Sequence, residues 1–80
     1  MESVYDGVFE FDADDRDKID KHFKANIRVE KIDNKRLRGY TTVFNELEFF
    51  TWIFQSEGRF KLVGPEKVLE KFKKMLSVNV

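Results

Sequence analysis

Eighty residues make one domain at the small end of those that fold alone, and with fifteen basic and fifteen acidic side chains it carries no net charge. No overall field draws it to nucleic acid or to an anionic membrane, so any such binding requires a local patch. The absence of cysteine excludes disulfides, thiolate metal sites and a cysteine nucleophile, and no apolar run approaches the roughly 20 residues of a membrane span. Met1-Glu2-Ser3 does not open a signal peptide, and the expectation is a cytoplasmic chain. Nine Phe, two Tyr and one Trp supply the bulk for a core where aliphatic residues are scarce.

The first segment, Val4 to Phe11, alternates: Tyr5, Phe9 and Phe11 on one side, Asp6 and Glu10 on the other. That is strand period, with Gly7 a weak point or bulge. Asp12 to Lys24 reads as a helix, with Asp12, Asp14, Asp15 and Asp17 early and Lys18, Lys21 and Lys24 late, as the macrodipole favours. Ile19 and Phe23 form its buried stripe. Ala25–Ile32 and Leu37–Phe44 read as strands joined by the turn Asp33-Asn34-Lys35, hence a hairpin.

Asn45 then caps a second helix, with Glu48 at capping-box spacing and Phe44 and Phe49 at the two positions of a hydrophobic staple. Leu47, Phe50, Ile53 and Phe54 supply its core stripe, and Gly58 ends the run. Arg59–Val63 is a short last strand. Gly64-Pro65 starts a third helix, with Pro65 at the first helical position and Val68, Leu69, Phe72, Met75 and Leu76 on its apolar face.

The order β-α-β-β-α-β-α predicts an α+β fold. It is a ferredoxin-like βαββαβ sandwich, a four-stranded antiparallel sheet with helices on one face, plus a C-terminal helix that docks on an edge or on another chain.

Little in the sequence supports catalysis. His22 is the only histidine, so a metal site or a triad lacks its partners, and a surface or boundary position with mild pH sensitivity is the expectation. The carboxylates cluster at a helix start, where solvation and the dipole explain them, and no Gly-rich phosphate loop occurs. Neither a catalytic residue, a metal site nor a cofactor is expected.

Alternation places Val4, Val8, Glu10, Arg28, Glu30, Arg38, Tyr40, Thr42, Lys61 and Val63 on the open face of the sheet. Arg28, Arg38, Tyr40 and Lys61 form a candidate nucleic-acid or ligand patch, one aromatic ringed by cations. The competing reading is an amphipathic face against solvent or a neighbouring domain. Arg38-Gly39-Tyr40-Thr41-Thr42-Val43 partly echoes the RNA-recognition motif. Thr42, however, occupies the second stacking position, and Val4–Val8 lacks the companion motif. On the second helix Phe49 and Trp52 widen the apolar stripe. Either the third helix covers them, or they form an exposed interface for a partner or a second copy.

From Asn45 onward, the run Asn45-Glu46-Leu47-Glu48-Phe49-Phe50-Thr51-Trp52-Ile53 is followed by Gly58 and then by Phe60-Lys61-Leu62-Val63-Gly64-Pro65-Glu66-Lys67-Val68-Leu69. This pattern resembles the C-terminal extension (WCX) domain of WYL-type bacterial transcription regulators, about thirty residues in sequence and nearly the whole chain in element order. The resemblance implies an excised C-terminal regulatory domain. Its parent would carry an N-terminal winged helix-turn-helix and a central WYL domain, neither of which is present here. It further implies a part in dimer geometry and in communication between effector and DNA, with self-association or neighbouring domains as partners. It brings no catalytic residue, and Trp52, Gly58 and Pro65 are implied to be structural.

Overall fold

Alternation from Tyr5 gives strand β1 (Tyr5–Asp12) in the computed structural model, which describes residues 5–78; Val4, expected outward, lies outside them. A 3-10 turn (Ala13–Asp15) leads into helix α1 (Arg16–Phe23). There follow strands β2 (Arg28–Lys31) and β3 (Arg36–Val43), helix α2 (Glu46–Gln55), strand β4 (Lys61–Gly64) and helix α3 (Glu66–Val78). The sheet order is β2-β3-β1-β4, antiparallel at every pairing. This is the ferredoxin-like arrangement expected from the element order, extended by α3.

Several boundaries differ from the expectation, the last strand among them, which runs Lys61–Gly64 rather than Arg59–Val63; three differences have a visible cause. The acidic start of the first helix is a 3-10 turn because Asp15 points inward: its carboxylate is buried and accepts a charge-assisted bond from Arg59 Nη2, beyond α2. β2 has four residues rather than eight. Ahead of it the chain is held by side chains, with Asn26 Nδ2 donating to the Thr42 carbonyl at 3.0 Å and Thr41 Oγ1 donating to the Asn26 carbonyl at 2.6 Å. Pro65 sits one position before α3, its carbonyl accepting the first helical bond from Leu69 N–H at 2.9 Å.

The predicted turn is present between β2 and β3. The Asp33 carboxylate accepts the N–H groups of Lys35 and Arg36, both at 2.8 Å, and these two bonds hold its pKa below the ordinary carboxylate value. Asn45 caps α2, its side chain accepting Glu48 N–H at 3.1 Å. The turn that ends α2 runs through Glu57 and Gly58, both at positive φ, and Gly58 reaches +89° at no steric cost.

The core is aromatic. Phe9 is fully buried, with the rings of Phe11, Phe23, Phe49, Trp52 and Phe60 centred 5.3–6.3 Å from its own. Tilted and edge-on geometries dominate, as the ring quadrupole favours. Gly7 makes room for this cluster: a Cβ there would lie 2.8 Å from Phe49 Cζ and 2.9 Å from Val43 Cγ2. The C-terminal helix docks in the same layer. Val68 and Phe72 are buried in the shared core, Phe72 lies 5.2 Å from Phe50, and the helix packs along β4. Glu46 ties three elements together, accepting from Tyr5 OH at 2.8 Å and from Lys71 Nζ at 3.1 Å.

Gly7→Ala should destabilise the domain by about 1–3 kcal/mol through overpacking against Phe49, read from urea unfolding followed by Trp52 fluorescence. Tyr5 gives a pH signature. Burial first, then the hydrogen bond to Glu46 and its charge, raise the phenol above its ordinary value of 10.0. The raised value means the folded state holds this proton more tightly than the unfolded chain. That stability is therefore fully present below the ordinary value and is lost as pH rises beyond it. Tyr5→Phe should flatten the alkaline limb of a stability-against-pH curve relative to the parent chain.

Candidate functional site

The open face of the sheet is organised in rows by register. One row runs Arg28, Tyr40, Val8 from β2 across β3 to β1; the next runs Glu30, Arg38, Glu10 and on to Lys61 in β4. All four candidate residues of the patch, Arg28, Arg38, Tyr40 and Lys61, thus share this face as the alternation predicts. What alternation did not anticipate is that the cations of this face already pair with its own carboxylates.

The Arg28 guanidinium lies over the Tyr40 ring, 4.0 Å from its centroid, and pairs with Glu30 at 3.5 Å. Tyr40 OH donates to Glu30 Oε1 at 3.4 Å. Glu10 is the hub of the second row, accepting from Arg38 Nη2 at 3.2 Å and, through its other oxygen, from Arg36 Nη2 at 3.3 Å. Hydrogen bonds to Tyr40 and then to Glu10 push the Arg38 guanidinium above its ordinary pKa. The arginines thus already face carboxylates, and the platform on which a base would stack is covered by Arg28. A phosphate would have to displace Glu10 or Glu30 from cations that hold them, and Lys61 itself stands opposite Glu10.

Of the stripe expected on α2, Phe50 and Ile53 are buried as the spacing predicts, and Leu47 and Phe54 are not. Phe49, placed on the candidate interface, is only 7% exposed, and Trp52 is half-buried. Trp52 stacks between His22 and Phe60, with ring centroids 4.8 and 4.6 Å away, while Phe23 meets its edge. His22 is thus an exposed ring covering the indole. α1 and the sheet side of the core enclose the pair, not α3. The residues expected in the stripe, Leu47 and Phe54, are instead 67% and 63% exposed, next to Phe44 at 68%. The helix is apolar on nearly every side, so period alone could not select the buried arc. Gly7 permits the observed arc, since a Cβ there would meet both Phe49 and Val43.

A groove of about 630 Å³ runs between α1 and α2 where β3 feeds the second helix. His22, Trp52 and Phe49 lie along it, with Phe44, Leu47 and Thr51 on α2's side. Glu46 and Glu48 stand at the start of this helix, and α2 contains no basic residue. Glu46 is held by Tyr5 and Lys71, so Glu48 is the acid that stands on the groove beside the exposed apolar side chains.

No group of three or more His, Asp or Glu side chains placed to hold a metal ion occurs among the described residues, and no described helix is long and apolar enough to cross a membrane. Comparison with family models, with curated proteins and with solved structures gives no match.

Glu10 is the carboxylate on which the open face depends. The Nε atoms of Arg36 and Arg38 are buried without a partner among the described residues, so removing Glu10 leaves two adjacent guanidinium groups uncompensated. Glu10→Ala should cost about 1–3 kcal/mol, measured by urea unfolding at low ionic strength, where screening does not mask the term.

Proposed function

We propose that this chain is a non-enzymatic regulatory and dimerisation domain of a WYL-type bacterial transcription regulator. In this reading it helps transmit effector binding to a DNA-binding domain carried elsewhere, and it meets the rest of the regulator through the outer side of α2. The observation that carries the association is the set Phe44, Leu47 and Phe54, three large apolar side chains each more than three-fifths exposed around one helix. Scattered single apolar residues on a surface need no explanation, whereas three large ones on and beside one short helix, two of them lining a groove, support a partner there. The transcriptional assignment is supported by the sequence pattern from Asn45 to Leu69.

The second reading, a single-stranded nucleic-acid or nucleotide module on the open sheet face, has weaker support, because Arg28 and Arg38 already bond Glu30 and Glu10. Its other two residues are also engaged, since Arg28 covers the Tyr40 ring and Lys61 stands opposite Glu10.

The double substitution Leu47→Asp with Phe54→Asp separates fold from function, since both side chains are exposed and their loss leaves the core intact. The circular dichroism spectrum should not change, and the unfolding midpoint should stay within about 0.5 kcal/mol of the parent. Sedimentation of the chain with a WYL domain expressed from the same gene should give a complex that the double variant loses. A gene without such a domain, or a complex indifferent to both substitutions, would overturn the reading.

A further inference from the structure

β2 is the outermost strand on its side of the sheet, paired only with β3 among the described residues, whereas β4 on the opposite side lies against α3. The ladder shows which main-chain groups of β2 remain available. Ile32 N–H donates to the Arg36 carbonyl at 3.0 Å, so Ile32 belongs to a hydrogen-bonded pair. Hydrogen-bonded and non-bonded pairs alternate along an antiparallel ladder. Counting back along the register, Glu30 and Arg28 also turn their N–H and C=O groups towards β3. Val29 and Lys31 turn theirs outward, to the free edge.

A second copy of this chain, approaching antiparallel about a two-fold axis, must bond through those outward groups. Three registers satisfy that condition near the middle of the strand. One stacks Arg28 on Arg28 of the second copy; another stacks Glu30 on Glu30. The third places Val29 on the axis and brings Arg28 opposite Glu30 of the second copy, twice. In that register the two charged pairs fall at non-hydrogen-bonded positions, where facing Cα atoms approach to about 4.5 Å and side chains interact most strongly. Arg28 and Glu30 pair with each other at 3.5 Å within β2 and keep 68% and 52% of their side chains exposed, so each exchanges an exposed pair on its own strand for the equivalent pair across the axis. Lys31 meets Ile27 on the other face, its alkyl stem against the half-buried isoleucine.

We infer that β2 is a self-pairing edge. Two copies of this chain join their four-stranded sheets into one continuous antiparallel sheet, with the two-fold axis at Val29 and the register set by Arg28 and Glu30. Like charges disfavour the neighbouring registers, so the same two residues that make the pairing attractive also exclude its alternatives. The interface is small, as the length of the strand requires, and gives a weak, salt-sensitive dimer. This deepens the dimerisation role proposed above and rests on it for its biological purpose, while its chemistry depends only on β2.

The test is charge reversal on the full chain, followed by sedimentation equilibrium and by amide NMR over a concentration series at two ionic strengths. The parent chain should show a concentration-dependent dimer in which the Val29 and Lys31 amides shift and exchange more slowly with solvent. Arg28→Glu and Glu30→Arg should each weaken it roughly tenfold or more, by replacing two attractions with two repulsions. The double variant Arg28→Glu with Glu30→Arg should restore the parent dissociation constant to within about threefold. A chain that stays monomeric at millimolar concentration overturns the inference. So does a dimer whose Val29 and Lys31 amides stay unchanged, or one that the paired reversal fails to restore. Leu47→Asp with Phe54→Asp should leave this dimer intact; if it alone abolishes self-association, the α2 surface holds the copies together and β2 does not.

Discussion

The Phe9 ring has no solvent exposure, and five aromatic side chains from β1, α1, α2 and the segment before β4 close around it. A domain of this length has little aliphatic material with which to bury a sheet face, so rings that each remove a large area from water carry most of the burden. Rings of that size demand space, and Gly7 supplies it where Phe49 crosses β1. With Phe49 seated there, Trp52 stacks on His22 and Phe60, and Leu47 and Phe54 are left on the side of α2 that faces water. The exposure of Phe44, Leu47 and Phe54 is therefore a consequence of core packing and not of an unusual helix.

Charge is arranged on the same economy. Net neutrality would allow acids and bases to be spread at random, yet the open sheet face sets Glu10 between Arg36 and Arg38, and Glu30 beside Arg28 and Tyr40. These pairs are partly exposed, and individually each contributes little to stability. Their larger effect is on recognition: a face whose cations already hold carboxylates presents weak attraction to a phosphate backbone. The one deeply placed carboxylate, Asp15, is matched by Arg59 and joins the start of α1 to the loop after α2. Glu46 does the same for β1, α2 and α3.

Two surfaces among the described residues carry the proposals: the outer side of α2, through exposed apolar side chains, and the edge of β2, through main-chain bonds framed by one charge of each sign. They lie on different elements, so use of one leaves the other free.

Much of the architecture was legible from local chemistry. The alternation of Tyr5, Phe9 and Phe11, the turn residues at Asp33–Lys35, the Asn45 cap and the apolar face of Val68 and Phe72 each encode one element through short-range geometry. Together their order dictates a βαββαβ sheet, since right-handed crossovers and hairpin pairing leave few other routes. The open-face membership of Arg28, Arg38, Tyr40 and Lys61 was legible for the same reason, because side chains alternate along a strand whatever surrounds it. What period could not decide was which arc of α2 is buried, since Leu47, Phe49, Phe50, Trp52, Ile53 and Phe54 offer apolar surface on almost every side. Nor could it show that Asp15 turns inward to Arg59, or that the open-face cations are already paired. Those outcomes depend on residues far apart in the chain, Gly7 against Phe49 and Glu10 against Arg36 and Arg38, which only the folded sheet brings together. The sequence by itself determined the elements, their order and their alternating faces; tertiary packing decided which surfaces stay open, because complementarity of shape and charge exists only between elements already in contact.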